Sequence, residues 1–259
     1  MTDPNADAEL LSKPWRDARI VAFDLETTGT DTQRDRVIEI GVAVFERGEV
    51  VERWQQLVDP EVELPEVITR VTGITAADLV GKPRLADVAD TLLGYLGSGV
   101  ALAYNHEFDT RLLASDLARV GRSFEIARCL DPFPFCWENL RERQIIPNGQ
   151  LGTVCNYLGV TLDSAHRADA DAEAAGRVLF ELPNHIVLPD LLGELLQVQR
   201  VLMRQVSEKF ARFRRGRESG RGLGIDDAAI ELGAAYIYGD EPDPIRALIA
   251  RLPDVRDAS

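Results

Sequence analysis

The chain has 259 residues, 45% of them apolar, and carries a formal charge of -14. That apolar share is ordinary for a folded protein, while the acidic balance excludes a generally basic nucleic-acid coat, so any contact with phosphates must come from a local patch or from bound cations. Three cysteines without CxxC spacing, Cys129, Cys136 and Cys155, exclude a disulfide scaffold and read as buried thiols in a reducing compartment. No run approaches the roughly 20 apolar residues of a membrane span. The start, MTDPNADAELLSKPW, lacks an apolar core of signal-peptide length, so the expected location is the cytoplasm.

In chain order, residues 1–16 read as a mobile leader, with order beginning near Ala18. RIVAFDLE is apolar on both alternating faces, the pattern of a central strand covered on both sides. DRVIEIGVAVFERGEVVERWQQLVD then gives two strands joined at Arg47 and Gly48, so the first three strands form an antiparallel meander. LADVADTLLGYLG has helical spacing, GVALAYN is a short buried strand, DTRLLASDLARVG is a helix ended by Gly121, and ARCLD is a fifth strand. QLGTVCNYLG and ADADAEAAGRVLFEL are further helices. Strands first, then helix and strand in alternation, predict an α/β fold with a mixed five-stranded sheet and helices on both faces.

Pro183 and Pro189 bracket a linker, which places a boundary near residue 185 between a domain at 17–184 and a helical C-terminal extension at 185–259. In the extension, Leu188, Leu191, Leu195, Val198 and Leu202 follow coiled-coil-like spacing that continues through Val206, Phe210 and Phe213, predicting one long amphipathic helix. A mobile glycine- and arginine-rich stretch follows from Arg214 to Gly224, then two short helices, DDAAIELGAAYIYG and DPIRALIARL.

Face geometry separates chemical acids from ordinary ones. Asp171 lies on the stripe of Ala168, Ala175, Val178 and Leu182 that should meet the sheet, whereas Asp169 and Glu173 fall on the opposite, solvated face. An inward carboxylate costs several kcal/mol unless it is protonated, paired or bound to a metal. Asp109 shares a side with Leu112, Leu113 and Val120, although Asp116 falls there too, and a helix N-cap is an alternative role for it. Asp24 and Glu26, two apart in a strand, project from one face near the end of a central strand. Four such acids need a cation to coexist, since unneutralised they would repel one another.

Hard oxygen ligands favour Mg²⁺ or Mn²⁺, and the lack of clustered Cys or His ligands argues against zinc. Two ions about 3.5 to 4 Å apart could clamp the attacking and leaving oxygens of a displacement at phosphorus. His166 sits in a loop before the helix of Asp171, with the side chain best suited to take a proton from water near neutrality. His106 and His185 read as structural.

FDLETTG with DRVIEIG, then VTGIT, NHEFD and HRADAD, resemble the DEDDh family of 3′-to-5′ exonucleases of the proofreading-subunit type, over roughly the first 182 residues. The resemblance implies a ribonuclease H-like fold, two Mg²⁺ or Mn²⁺ ions, and release of nucleoside monophosphates from a 3′ end. It further implies metal binding by Asp24, Glu26, Asp109 and Asp171, His166 as general base, and Glu26 near the terminal sugar. The backbone of Thr27 and Thr28 would hold the terminal nucleotide, Leu25 would pack on its base, and Asn105 would steady the site. Thr72 departs from the pattern, since many relatives have histidine before GIT.

From Arg200 to Arg221 the chain holds eight arginines and lysines against two glutamates, and Arg212, Arg214 and Arg215 with Phe210 and Phe213 could guide a single strand. The opposing reading is a solvated helix end. The expected activity is therefore 3′-to-5′ hydrolysis of DNA, in repair or proofreading. An exoribonuclease and a non-catalytic binding module are the alternatives, and the Leu/Val stripe of the C-terminal helix is expected to pack on its own domain or on a second copy rather than on a polymerase, the less favoured partner.

Overall fold

The computed structural model describes residues 4–126, 128–163 and 165–218, with side chains placed from residue 6 to residue 212. After α1 (Pro4–Leu11), strands β1 (Arg19–Thr27), β2 (Val37–Glu46) and β3 (Glu49–Leu57) form the expected meander. Its hairpin turns through Arg47 and Gly48 at φ 51° and 86°, the paired positive values that two-residue hairpins favour. The connection to the next strand carries α2 (Glu66–Thr72), α3 (Ala76–Leu79) and α4 (Leu85–Gly97). Then come β4 (Val100–Leu102), α5 (Glu107–Arg119), β5 (Cys129–Leu130) and α6 (Phe133–Cys136), which runs on into a π-helical turn at Trp137–Arg141. Helices α7 (Leu151–Leu158), α8 (Ala168–Glu181) and α9 (Leu192–Glu218) complete the described chain.

The five strands lie in the order β3-β2-β1-β4-β5, with β1 antiparallel to β2 and parallel to β4. β2 is buried along all but its last residue, while the charged and amide-rich β3 forms the wet edge. Alternation on β1 splits the core. Val21, Phe23 and Leu25 pack with α4 and α5 on one face, and Ile20 and Ala22 pack with α7, α8 and α9 on the other. This is the mixed sheet with helices on both faces that the sequence predicts.

Three expectations are corrected. Residues 4–17 are not a mobile leader: Trp15 is fully buried, its Nε1 donates to the Pro189 carbonyl at 3.0 Å, and the Leu192 amide donates to Lys13 O at 2.9 Å. One large aromatic with a partner for its N–H outweighs the acidity around it. The segment around residue 185 is likewise no loose linker. Ile186, Leu188, Leu192, Leu195, Val198 and Leu202 share one core with Leu179 and Leu182 of the sheet domain. The Leu/Val stripe of α9 is thus buried against its own chain. The helix also continues to Glu218 instead of stopping at Phe213, and the two short helices expected further on lie outside the described residues.

Candidate active site

β4 pairs only with Ile20 to Ala22, so the carboxyl end of β1 runs past its parallel neighbour and carries Asp24 to Thr27 to the sheet's open end. Asp24 and Glu26 point to the α8 side. Opposite Asp24 on β2 stands Gly41, where a Cβ would come within 2.0 Å of the Ala168 carbonyl carbon. Only glycine lets α8 begin directly over β2. That approach carries Asp171, in the first turn of α8, to the acids of β1.

The result is convergence. Glu26, His166 and Asp171 each offer a donor atom within 4.8 Å of the others. Asp24, Leu25, Asn105 and Asp109 line the same cleft of ≈ 680 Å³, together with the aromatic side chains of Tyr104, Phe133, Trp137 and Phe210. His166 has φ 67°, keeps its ring exposed, and donates its backbone N–H to Asp171 Oδ2 at 2.8 Å.

Electrostatics mark the four carboxylates as a set. Burial raises Asp24 well above the usual range, with Asp109, Asp171, Glu26 and Glu39 adding repulsion. Burial, then Asp171, Glu39 and Asp109, push Glu26 to about 8, against the pull of Arg167. Burial lifts Asp109 to about 7 although backbone amides and His106 favour its charge, and lifts Asp171 to about 6 despite the His166 amide. Desolvated acids crowded this way are suited to holding a divalent cation.

Asp109 is the third residue of α5, whose N-cap is His106, so it is not the cap. Asp116 is explained without chemistry, accepting from the Val37 amide at 2.9 Å and from Arg119 Nη1 at 2.9 Å. Asp169 meets Gln55, and Glu173 pairs with Arg53 and Arg177, away from the cleft. His106 is held by Asp131, and His185 lies tilted against the Tyr157 ring beside Glu181.

Thr27 and Thr28 are buried and do not line the cleft; their hydroxyls are used by Gly29 O and Asp35, and the Thr28 amide already donates to Arg36 O. Asn105 has φ 60° and a buried Oδ1 with no partner among the described residues. Arg212 is exposed and lies 3.9 Å from Glu208, while the side chains of Arg214 and Arg215 fall outside the described residues.

Several contacts here left little trace in sequence, even where the residue itself, as with Phe210, stood out. Glu39, fully buried on β2, grips Arg167 and the Ala168 amide. Asp131 receives the amides of Asn105, His106 and Phe133 and so fixes the turn before α5. Tyr104 ties Gly149 across the cleft wall through its hydroxyl at 2.7 Å. Phe210, from α9, packs edge-on to Trp137 with centroids 4.8 Å apart. Each makes contacts over long sequence separations, which no local motif encodes.

The exonuclease family model RNase_T matches residues 21–179, a span that holds all five residues of the constellation. A DNA polymerase III of PolC type from Clostridium perfringens is 32% identical over 166 residues, 63% of this chain and 11% of that protein. The DNA polymerase III subunit epsilon of Treponema pallidum is 30% identical over 164 residues, 62% of this chain and 73% of that one. This chain therefore spans only a small part of its PolC-type relatives. Among solved structures, E. coli exonuclease I in complex with a dA16 oligonucleotide is similar in fold, with TM-score 0.57 and 19% identity over 64% of this chain and 41% of that chain. The matched span and the epsilon-subunit relative together establish that the chain belongs to the RNase_T exonuclease family.

Proposed function

We propose that this chain is a divalent-metal-dependent 3′-to-5′ exonuclease that releases nucleoside monophosphates from the 3′ end of DNA, in repair or proofreading. One observation carries the reading. Asp24, Glu26, Asp109 and Asp171 line one cleft, desolvated and crowded with like charge, and Glu26 and Asp171 lie within 4.8 Å of His166.

The donor set fits hard cations such as Mg²⁺ or Mn²⁺, two per site, since it is all oxygen apart from the histidine. Bound ions would supply Lewis-acid polarisation of the phosphate and stabilise the charge that develops on its oxygens. The chain's own residues do the rest. Asp24, Glu26, Asp109 and Asp171 hold the cations, and a His166 ring nitrogen accepts the proton of the attacking water. Leu25 and Phe108 give the cleft an apolar floor for a terminal base, while the unpartnered Asn105 Oδ1 offers an acceptor beside Asp109.

The aromatic lining of Tyr104, Phe133, Trp137 and Phe210 in the cleft that holds the acids suits a single strand better than a base-paired end. Side-by-side digestion of 3′-labelled single-stranded DNA, mismatched duplex and RNA, with Mg²⁺ or with EDTA, tests all of this. Stepwise shortening from the 3′ end in Mg²⁺ alone is expected, fastest on single-stranded DNA. Internal cleavage, 5′ polarity or activity in EDTA overturns the assignment, and RNA as the fastest substrate replaces its substrate class.

A further inference from the structure

Glu39 is an acid in the middle of an apolar strand, completely buried and paired in register with Glu26. A buried carboxylate persists only where donors surround it. Four do so here. Arg167 approaches with Nη2 at 2.7 Å and Nε at 3.1 Å, the Ala168 amide donates at 3.0 Å, and Gln55 Nε2 donates at 2.9 Å.

These contacts have a direction. Arg167 is the N-cap of α8 and makes no capping bond of its own, so the first free amide of that helix is satisfied by Glu39 from the sheet. Two residues along β2, Gly41 makes room for the same helix end. The residue immediately before Arg167 is His166, whose exposed ring has no hydrogen bond or ion pair of its own among the described residues. Its place is set through the backbone alone, by the bond to Asp171 on one side and by the clamped Arg167 on the other.

We propose that Glu39, acting through Arg167, is a positioning residue that latches the His166 loop to the sheet and so aims the imidazole at the attacking water. It touches neither substrate nor cation. The proposal rests on the reading of His166 as proton acceptor, and misplacing such a group by about 1 Å is enough to cost up to about 10²-fold in rate.

The test is a double-mutant cycle in the full chain, with kcat, KM and the Mg²⁺ midpoint measured on 3′-labelled single-stranded DNA. Glu39→Gln and Arg167→Ala should each lower kcat roughly 10- to 100-fold and leave KM and the Mg²⁺ midpoint within about twofold. In a His166→Ala background neither should lower the residual rate further, because the group they position is gone. Arg167 is 41% exposed, so its variant carries the test even where Glu39→Gln fails to fold. Equal losses in the presence and absence of His166 would make the pair merely structural and overturn the latch. A parallel shift of the Mg²⁺ midpoint would overturn it too, placing the effect on Asp171. A His166→Ala variant as fast as wild type removes the general-base reading and the latch together, whereas a slow His166→Ala beside a fully active Glu39→Gln removes the latch alone.

Discussion

Asp109 and Asp116 lie two turns apart on α5, are 5% and 4% exposed, and have opposite surroundings. Asp116 is met by the Val37 amide and the guanidinium groups of Arg36 and Arg119. Burial pushes the Asp109 carboxyl up to about 7 although backbone amides and the nearby His106 favour its charge. Burial alone therefore does not mark a functional acid. What marks it is a buried carboxylate that no arginine or lysine pairs with among the described residues, leaving room for a mobile cation.

The sharpest way to break this comparison is to neutralise both. Asp109→Asn should lower metal-dependent hydrolysis by about 10³-fold, since cation binding contributes several kcal/mol of transition-state stabilisation at 1.36 kcal/mol per decade. In EDTA the same variant should be at least as resistant to urea as wild type, because a repelling charge has been removed. Asp116→Ala should do the reverse. Its arginines are a quarter exposed, which discounts the usual buried-pair figure to a loss of about 2–3 kcal/mol, with turnover per folded molecule unchanged. Matching urea curves for the two variants would abolish the distinction.

Within the cleft, His166→Ala should cost roughly 10²-fold in kcat and leave the Mg²⁺ midpoint in place, because a proton acceptor goes and no ligand does. Asp171→Ala should lose both. A Mg²⁺ titration followed by single-turnover hydrolysis separates the two roles, and equal loss of metal binding in both variants would contradict them.

The raised carboxyls also set the sign of a pH effect on the metal-free protein. The folded values of about 6, 7 and 8 for Asp171, Asp109 and Glu26 exceed those of an unfolded chain, so the folded state holds more protons. Their contribution is complete below pH ~4 and is lost as pH rises through that window. Urea midpoints in EDTA should fall between pH 5 and pH 8, and Mg²⁺ should reverse the trend by binding the ionised form. A flat or rising profile in EDTA would mean that Asp109 is compensated as Asp116 is.

Much of this contrast was legible in the chain itself, and its limits are physical. Asp24, Glu26 and Asp171 were separable from their neighbours because strand and helix periods assign each a face. Asp109 and Asp116 were not, since seven residues return a helix to nearly the same side and the sequence does not show that Arg36 comes from another element. Glu39 stood in plain view in the second strand, yet its role depends on Arg167, far along the chain. Trp15 reads as part of an acidic leader until Pro189 is seen to accept its N–H. Periodicity reports which way a side chain points, whereas its partners depend on how distant elements meet.

A second pair, this one of cations, extends the lesson to the weakest expected effect. Lys209 and Arg212 sit three apart on α9 within the basic run, where either could serve a nucleic-acid backbone. Lys209 is tied at 2.9 Å to both Glu138 and Glu142, which are part of the turn that carries Trp137. Arg212 is 75% exposed and only 3.9 Å from Glu208, an arrangement worth little to stability. If phosphates pass this way, Arg212→Ala should lower the log–log salt slope of single-strand binding by about 0.7 and leave the urea midpoint unchanged. Lys209→Ala should instead loosen the cleft wall and leave that slope intact, because its charge is already spent inside the protein. Filter binding of a labelled oligonucleotide across a salt series distinguishes them, and an unchanged slope for Arg212→Ala would return this end of the helix to a solvated face.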